Sequence, residues 1–161
     1  MRILGIDPGT YRLGVGLIDT NRDEMSYVKS FLLTASKADQ LSDRLHVLYE
    51  GLVKIIEQWE PDEAAIEQPF VHLNVRTSMA IGYVQAIAML AAAHFHIPVH
   101  MYSPREIKKS VTDYGNSTKE QVHEMVKVML DLEILQESLD VSDALAVTIC
   151  HSREVHIRQL F

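Results

Sequence analysis

Ile3-Leu4-Gly5-Ile6-Asp7-Pro8-Gly9-Thr10 is the stretch on which the reading of this chain turns. A mostly apolar run ending in an acid reads as a buried strand. Pro8 fixes φ and Gly9 is free to take φ > 0, so a tight turn is expected next. Residues 12–18 then read as a second strand folding back on the first. A carboxylate at a strand tip is rigidly held yet reaches solvent, which suits a metal ligand or a phosphate-facing group. Asp before Pro-Gly is equally the ordinary chemistry of a turn, and this segment alone does not separate the two.

The 161 residues are expected to form one domain, residues 1–161, large enough for a core without disulfides. At 47% hydrophobic and 23% charged, the composition excludes a disordered chain. The only cysteine, Cys150, lies in an apolar run and reads as a packing residue. No secretory leader and no apolar stretch long enough to cross a bilayer is read, so a cytoplasmic protein without a membrane partner is expected. The formal charge of −7 works against unaided binding to polyanions.

Outward from the first hairpin, residues 24–33 read as a third strand completing a meander. Leu41, Leu45, Leu48, Leu52, Ile55 and Ile56 recur at helical spacing within residues 39–59, and Pro61 closes that helix. Ala64-Ala65-Ile66 is a short buried strand delivering a second strand-tip acid, Glu67, and residues 68–74 read as a loop. Residues 76–95 form a helix with more apolar residues than one core face requires. It is either sandwiched in the domain or packed on another subunit, the latter favoured. Residues 97–102 are the fifth strand. Ser103-Pro104 starts a short helix, and Ser117-Thr118-Lys119-Glu120 has the form of a capping box opening a helix through Leu130. The last helix starts near Ser138 and runs into the mid-150s. This order predicts an α/β fold with a mixed five-stranded sheet, an antiparallel meander extended by parallel strands and flanked by helices.

Asp140-Val141-Ser142-Asp143 puts two carboxylates on one helix face. Taken alone, they serve as a cap and a favourable first-turn acid. The residues that follow are apolar, however, so the helix enters a core where an idle pair of acids is expensive. Four convergent carboxylates, Asp7, Glu67, Asp140 and Asp143, would repel one another unless cations neutralised them. Hard divalent ions with oxygen ligands do this, and the eight histidines show no zinc-type spacing. Acid-only clusters suit two-metal phosphoryl transfer, with ions roughly 3.5–4 Å apart.

The blocks GIDPGT (5–10), AIEQPF (65–70) and DVSDALA (140–146) resemble the three active-site blocks of RuvC-type Holliday junction resolvases, in order and at matching spacing. The resemblance implies the ribonuclease-H-like fold and paired, symmetric nicking of four-way DNA junctions by a homodimer. It also implies two Mg²⁺ per subunit, with Mn²⁺ as a substitute. Asp7, Glu67, Asp140 and Asp143 match the family's metal-binding acids. Phe70 matches a base-stacking aromatic, and Lys108 and Lys119 match lysines implicated in phosphate contacts and catalysis. Lys119 opens a helix, where a cation opposes the dipole, a hint of non-structural use. Residues 76–95 match the dimer-interface helix, and branch-migration machinery is an implied partner. Family members are usually basic; here Arg76, Arg105, Lys108, Lys109 and Lys119 are candidates for one positive face around the acids. The rivals are a ribonuclease-H-like nuclease acting on RNA or flaps, and a non-catalytic junction-binding protein. An actin-like ATPase would need two such domains.

Overall fold

The computed structural model describes residues 1–22, 24–68, 75–133 and 138–160. The meander is β1 (Arg2–Asp7), β2 (Arg12–Asn21) and β3 (Glu24–Thr34). It is followed by α1 (Leu41–Trp59), β4 (Glu63–Glu67), α2 (Val75–His94) and β5 (Val99–Tyr102). Three helices close the chain: α3 (Pro104–Thr112), α4 (Lys119–Met129) and α5 (Leu139–Leu160).

The strand order is β3-β2-β1-β4-β5, antiparallel through the meander and parallel from β1 to β4 to β5. This is the predicted mixed sheet. β1 and β4 are central and covered on both faces, which is why they read as continuous apolar runs. On one face Leu4, Ile6, Ala64 and Ile66 pack against α1 and α2. On the other, Ile3 and Ala65 pack against α3, α4 and α5.

α5 is buried nearly all round. From Val141 to Ser152 only Asp143 is not buried. The helix lies close on the sheet because β1 and β2 present glycine beneath it. A Cβ on Gly5 would overlap the carbonyl oxygen of Ala144, and one on Gly14 would overlap that of Asp140. Gly14 pairs directly with Asp7 across the β1–β2 ladder. The residue facing the strand-tip acid is therefore the one that admits the first turn of α5.

Several expectations are corrected. Gly9 does not take a positive φ. Glycine is needed there for space, since a Cβ would run into the Arg12 carbonyl. The α4 cap is Thr118 with Gln121, one residue later than the sequence pattern suggested. Ser117 is instead buried, its hydroxyl bonded to Thr112 Oγ1 and the Tyr114 carbonyl. α5 continues to Leu160 rather than ending in the mid-150s; its last turns consist of residues that tolerate a helix well. The α3 cap is as expected, with Ser103 and Glu106 forming a capping box and Pro104 opening the helix.

α2 is also corrected on one count. By length and composition it is long and apolar enough to cross a membrane, contrary to the expectation that no stretch would be. In the fold it is a sheet-covering helix, with Val84, Ala88, Ala91 and Ala92 buried against the core. It is not sandwiched. Val75, Met79, Tyr83, Met89 and Leu90 are exposed.

Candidate metal centre

β1 and β4 run parallel with Ile6 opposite Ile66, so the next residues, Asp7 and Glu67, end side by side. Both face α5, whose glycine seat lets Asp143 reach them. Asp7, Glu67 and Asp143 line one small cavity of about 90 Å³ together with Lys108 and Lys119. Lys119 Nζ donates to Asp143 Oδ2 at 2.6 Å. Lys119 reaches across because it opens α4 at the rim, the position the helix dipole disfavours. Lys108 comes from α3, close enough for its charge to act on Glu67.

Asp140 is held differently. Its Oδ2 accepts from Arg12 Nε at 2.8 Å and from Ser138 Oγ at 3.2 Å. It stands at the edge of the cluster, does not line the cavity, and still contributes to the field at Asp7. The i, i+3 spacing thus points both acids toward β1, but Arg12 holds the outer one.

The electrostatics are those of a crowded acid site. Burial, followed by the charges of Glu67 and Asp143, pushes Asp7 up to about 8. Burial and Asp143 push Glu67 up to about 7, against a hydrogen bond with Asp7 and the two lysines. Burial works against the Lys119 charge, but its hydrogen bond to Asp143 and the surrounding acids outweigh that and raise its pKa. An all-carboxylate set at the end of rigid strands fits hard, oxygen-seeking divalent ions. Among the described residues, no histidine or cysteine lines this cavity.

Among the other candidates, Arg76 does not join the acids. It lines a separate cleft with Thr10, Tyr11, Arg44 and Tyr83, beside the β1–β2 turn. Phe70 lies outside the described residues. Cys150 is buried, and its thiol is pushed up to about 12 by burial, as befits a packing residue.

Sequence reasoning missed three contributors. Gly14 seats α5; the signal was glycine alternating at 14 and 16 in an otherwise apolar strand. Arg12 holds Asp140, and only the fold brings it there. Tyr11 carries Arg44 4.3 Å and Lys37 5.5 Å from its ring centroid, a cationic and aromatic surface next to the turn that follows Asp7.

Comparison with known proteins identifies the family. A crossover junction endodeoxyribonuclease RuvC from Dehalococcoides mccartyi is 48% identical over 151 residues, covering 94% of this chain and 90% of the relative. One from Chloroflexus aurantiacus is 40% identical over 161 residues, covering 100% and 98%. The structure of T. thermophilus RuvC in complex with a Holliday junction substrate superposes with a TM-score of 0.92. It is 23% identical and covers 98% of this chain and 96% of that one. That likeness places the chain in the expected ribonuclease-H-like fold. The family profile described as crossover junction endodeoxyribonuclease RuvC matches residues 3–151, and with relatives this similar along nearly the whole length, the chain belongs to the RuvC family.

Proposed function

We propose that this chain is a divalent-metal-dependent endonuclease that resolves four-way DNA junctions by paired nicks. The observation that carries the reading is the convergence of Asp7, Glu67 and Asp143 with Lys108 and Lys119 in one cavity, two of the acids holding protons far above the carboxylate range. Metal-free, such a cluster is self-repelling, and cations together with a phosphodiester are what it is built to receive.

Asp7, Glu67, Asp140 and Asp143 would hold two Mg²⁺, or Mn²⁺ in their place. The bound ions supply activation of a water and stabilisation of charge on the scissile phosphate. The chain's own residues do the positioning. Asp7 and Glu67 sit on adjacent parallel strands, so their separation is set by the sheet and costs no reorganisation at the moment of reaction. Arg12 neutralises Asp140 and holds it at the edge of the cluster. Lys119 is paired with Asp143 and more than half exposed, so its ammonium can turn to the phosphate and offset charge building there. Lys108, from α3, is a second phosphate contact. The cleft containing Tyr11, Arg44 and Arg76 would receive a DNA arm leaving the acids. Phe70 is retained as the base-stacking residue on the resemblance alone.

The exposed apolar side of α2 is the surface for a second copy of the chain. A two-fold dimer would present two identical sites to the two symmetric strands of a junction. Branch-migration machinery as a partner and a cytoplasmic location belong to the same reading.

The test is cleavage of labelled four-way junction, linear duplex, flap and RNA–DNA hybrid, with Mg²⁺ or chelator, by the wild type and Asp7→Asn. Symmetric nicks in the junction alone, lost with chelator and in the variant, are expected. Cleavage of hybrid or flap instead would move the substrate, and junction binding without a cut would remove the enzyme.

A further inference from the structure

At the other end of β4 stands a second constellation with different chemistry. Glu63 opens the strand that Glu67 closes. His100 lies on β5, paired with Ala65, so Glu63 and His100 project from the same sheet face. His151 reaches that face from α5. Glu63 Oε2 lies 2.9 Å from His100 Nε2 and 2.8 Å from His151 Nε2, and all three ligand atoms are within 4.8 Å of one another. We infer that Glu63, His100 and His151 form a transition-metal site of the zinc class, separate from the acid cluster.

Two imidazoles and one carboxylate are a nitrogen-rich set that favours Zn²⁺ and its first-row neighbours over Mg²⁺. The acid cluster has the opposite preference. Four residues along β4 put the two sites about 13 Å apart, and eight along α5 from Asp143 to His151 give about 12 Å, so no ligand is shared. At zinc–ligand bonds of about 2.0–2.1 Å, tetrahedral neighbours stand about 3.3 Å apart. The Glu–His separations have to open slightly to reach that geometry. Glu63 and His100 side chains are 25% and 27% exposed and have the freedom to make that adjustment. The same exposure gives an ion its entry path and leaves a coordination position for water. His151 is fully buried and fixed.

The surroundings are those of a supported ligand. His151 Nδ1 is 2.8 Å from the buried Tyr102 hydroxyl. Without metal, Nε2–H donates to Glu63; on metal binding the proton would move to Nδ1 and donate to that oxygen, leaving Nε2 as the bare nitrogen a metal requires. Burial also lowers the His151 pKa, which favours the neutral ring. Arg158, two turns further along α5, opposes a cation here, while Glu154 offsets it. The ion would tie the middle of α5 to β4 and β5 and stiffen the helix that delivers Asp140 and Asp143.

The test uses the full chain carrying Asp7→Asn and Asp143→Asn, so that the acid cluster does not compete for metal. Co²⁺, as a spectroscopic stand-in for Zn²⁺, is titrated into metal-free protein with excess Mg²⁺ present. One equivalent with visible d–d bands, displaced by one equivalent of Zn²⁺, is expected. Tm should rise by about 5–10 °C at Zn²⁺ about 100-fold above Kd. Glu63→Gln and His100→Ala, both partly exposed, should each weaken binding by more than the roughly 10–100-fold typical of outer partners, and Tyr102→Phe by about tenfold. Absence of stoichiometric Co²⁺ binding overturns the proposal. So does binding unchanged by Glu63→Gln and His100→Ala, because the ion would then sit on other histidines. Neither result depends on whether the chain cuts junctions.

Discussion

Asp7→Asn should abolish cleavage and at the same time stabilise the metal-free protein. Asparagine keeps the shape of the side chain and removes a charge that burial, Glu67 and Asp143 all disfavour. A rise of the Asp7 pKa from 3.8 to about 8 corresponds to about 5–6 kcal/mol at about 1.4 kcal/mol per unit. That is a ceiling, because Asp7 is hydrogen-bonded to Glu67 and part of the cost is common to both. About half, 2–3 kcal/mol, is the working expectation, or a Tm gain of about 5–10 °C for a chain of this length. The folded state holds its proton where the unfolded state has lost it, so wild-type stability falls as pH rises from about 4 toward about 8. Thermal melts in chelator should therefore show the variant well above the wild type at pH 8. The two should converge near pH 4, and Mg²⁺ should raise the wild type far more than the variant. Equal Tm values at pH 8 in chelator would refute the reasoning, because the acids would then not be under electrostatic load.

Gly14→Ala places a Cβ against the Asp140 carbonyl, and the first turn of α5 has to lift. A loss of about 1–3 kcal/mol in denaturant melts is expected, with a loss of cleavage exceeding the unfolded fraction; full activity would disprove the glycine seat. Leu90→Glu, on the exposed side of α2, should convert a dimer to a monomer in sedimentation velocity while leaving the fold intact. A wild type that is already monomeric at micromolar concentration would remove that surface as the interface.

The sheet was legible because its signals are local. β1 and β4 are apolar on both faces, and the helices announce themselves by period and by caps such as Ser103-Pro104. Asp7 and Glu67 could be paired from sequence because each ends such a strand. What was illegible depends on where elements meet. Asp140 and Asp143 share a helix face, yet one faces the cavity and the other faces Arg12, 128 residues distant in sequence. Arg76 and Lys108 are alike as basic residues, but β4 and its flanking helices send them to different clefts. The α4 cap moved by one residue because Ser117 had a better use inside the Thr112–Tyr114 turn. The Glu63–His100–His151 group left no trace in spacing, since its members come from three elements.

The net charge of −7 had counted against a nucleic-acid partner, and the structure shows why a global sum decides little. Exposed charges separated by more than about 8–10 Å are largely screened at physiological salt, so a phosphate feels its immediate neighbours. At the C-terminal ends of β1 and β4 those neighbours are Lys108 and Lys119 beside Asp7 and Glu67, both of which burial pushes well above the usual carboxylate range. One turn away stand Tyr11, Lys37 and Arg44, with Arg76 lining the same cleft as Tyr11 and Arg44. Affinity resting on so few cations should be modest and should fall steeply with salt. Raising KCl from 50 to 200 mM should weaken junction binding at least about tenfold, with the slope reduced in Arg44→Ala and Arg76→Ala. A salt-independent affinity would mean that DNA is held by contacts outside this surface.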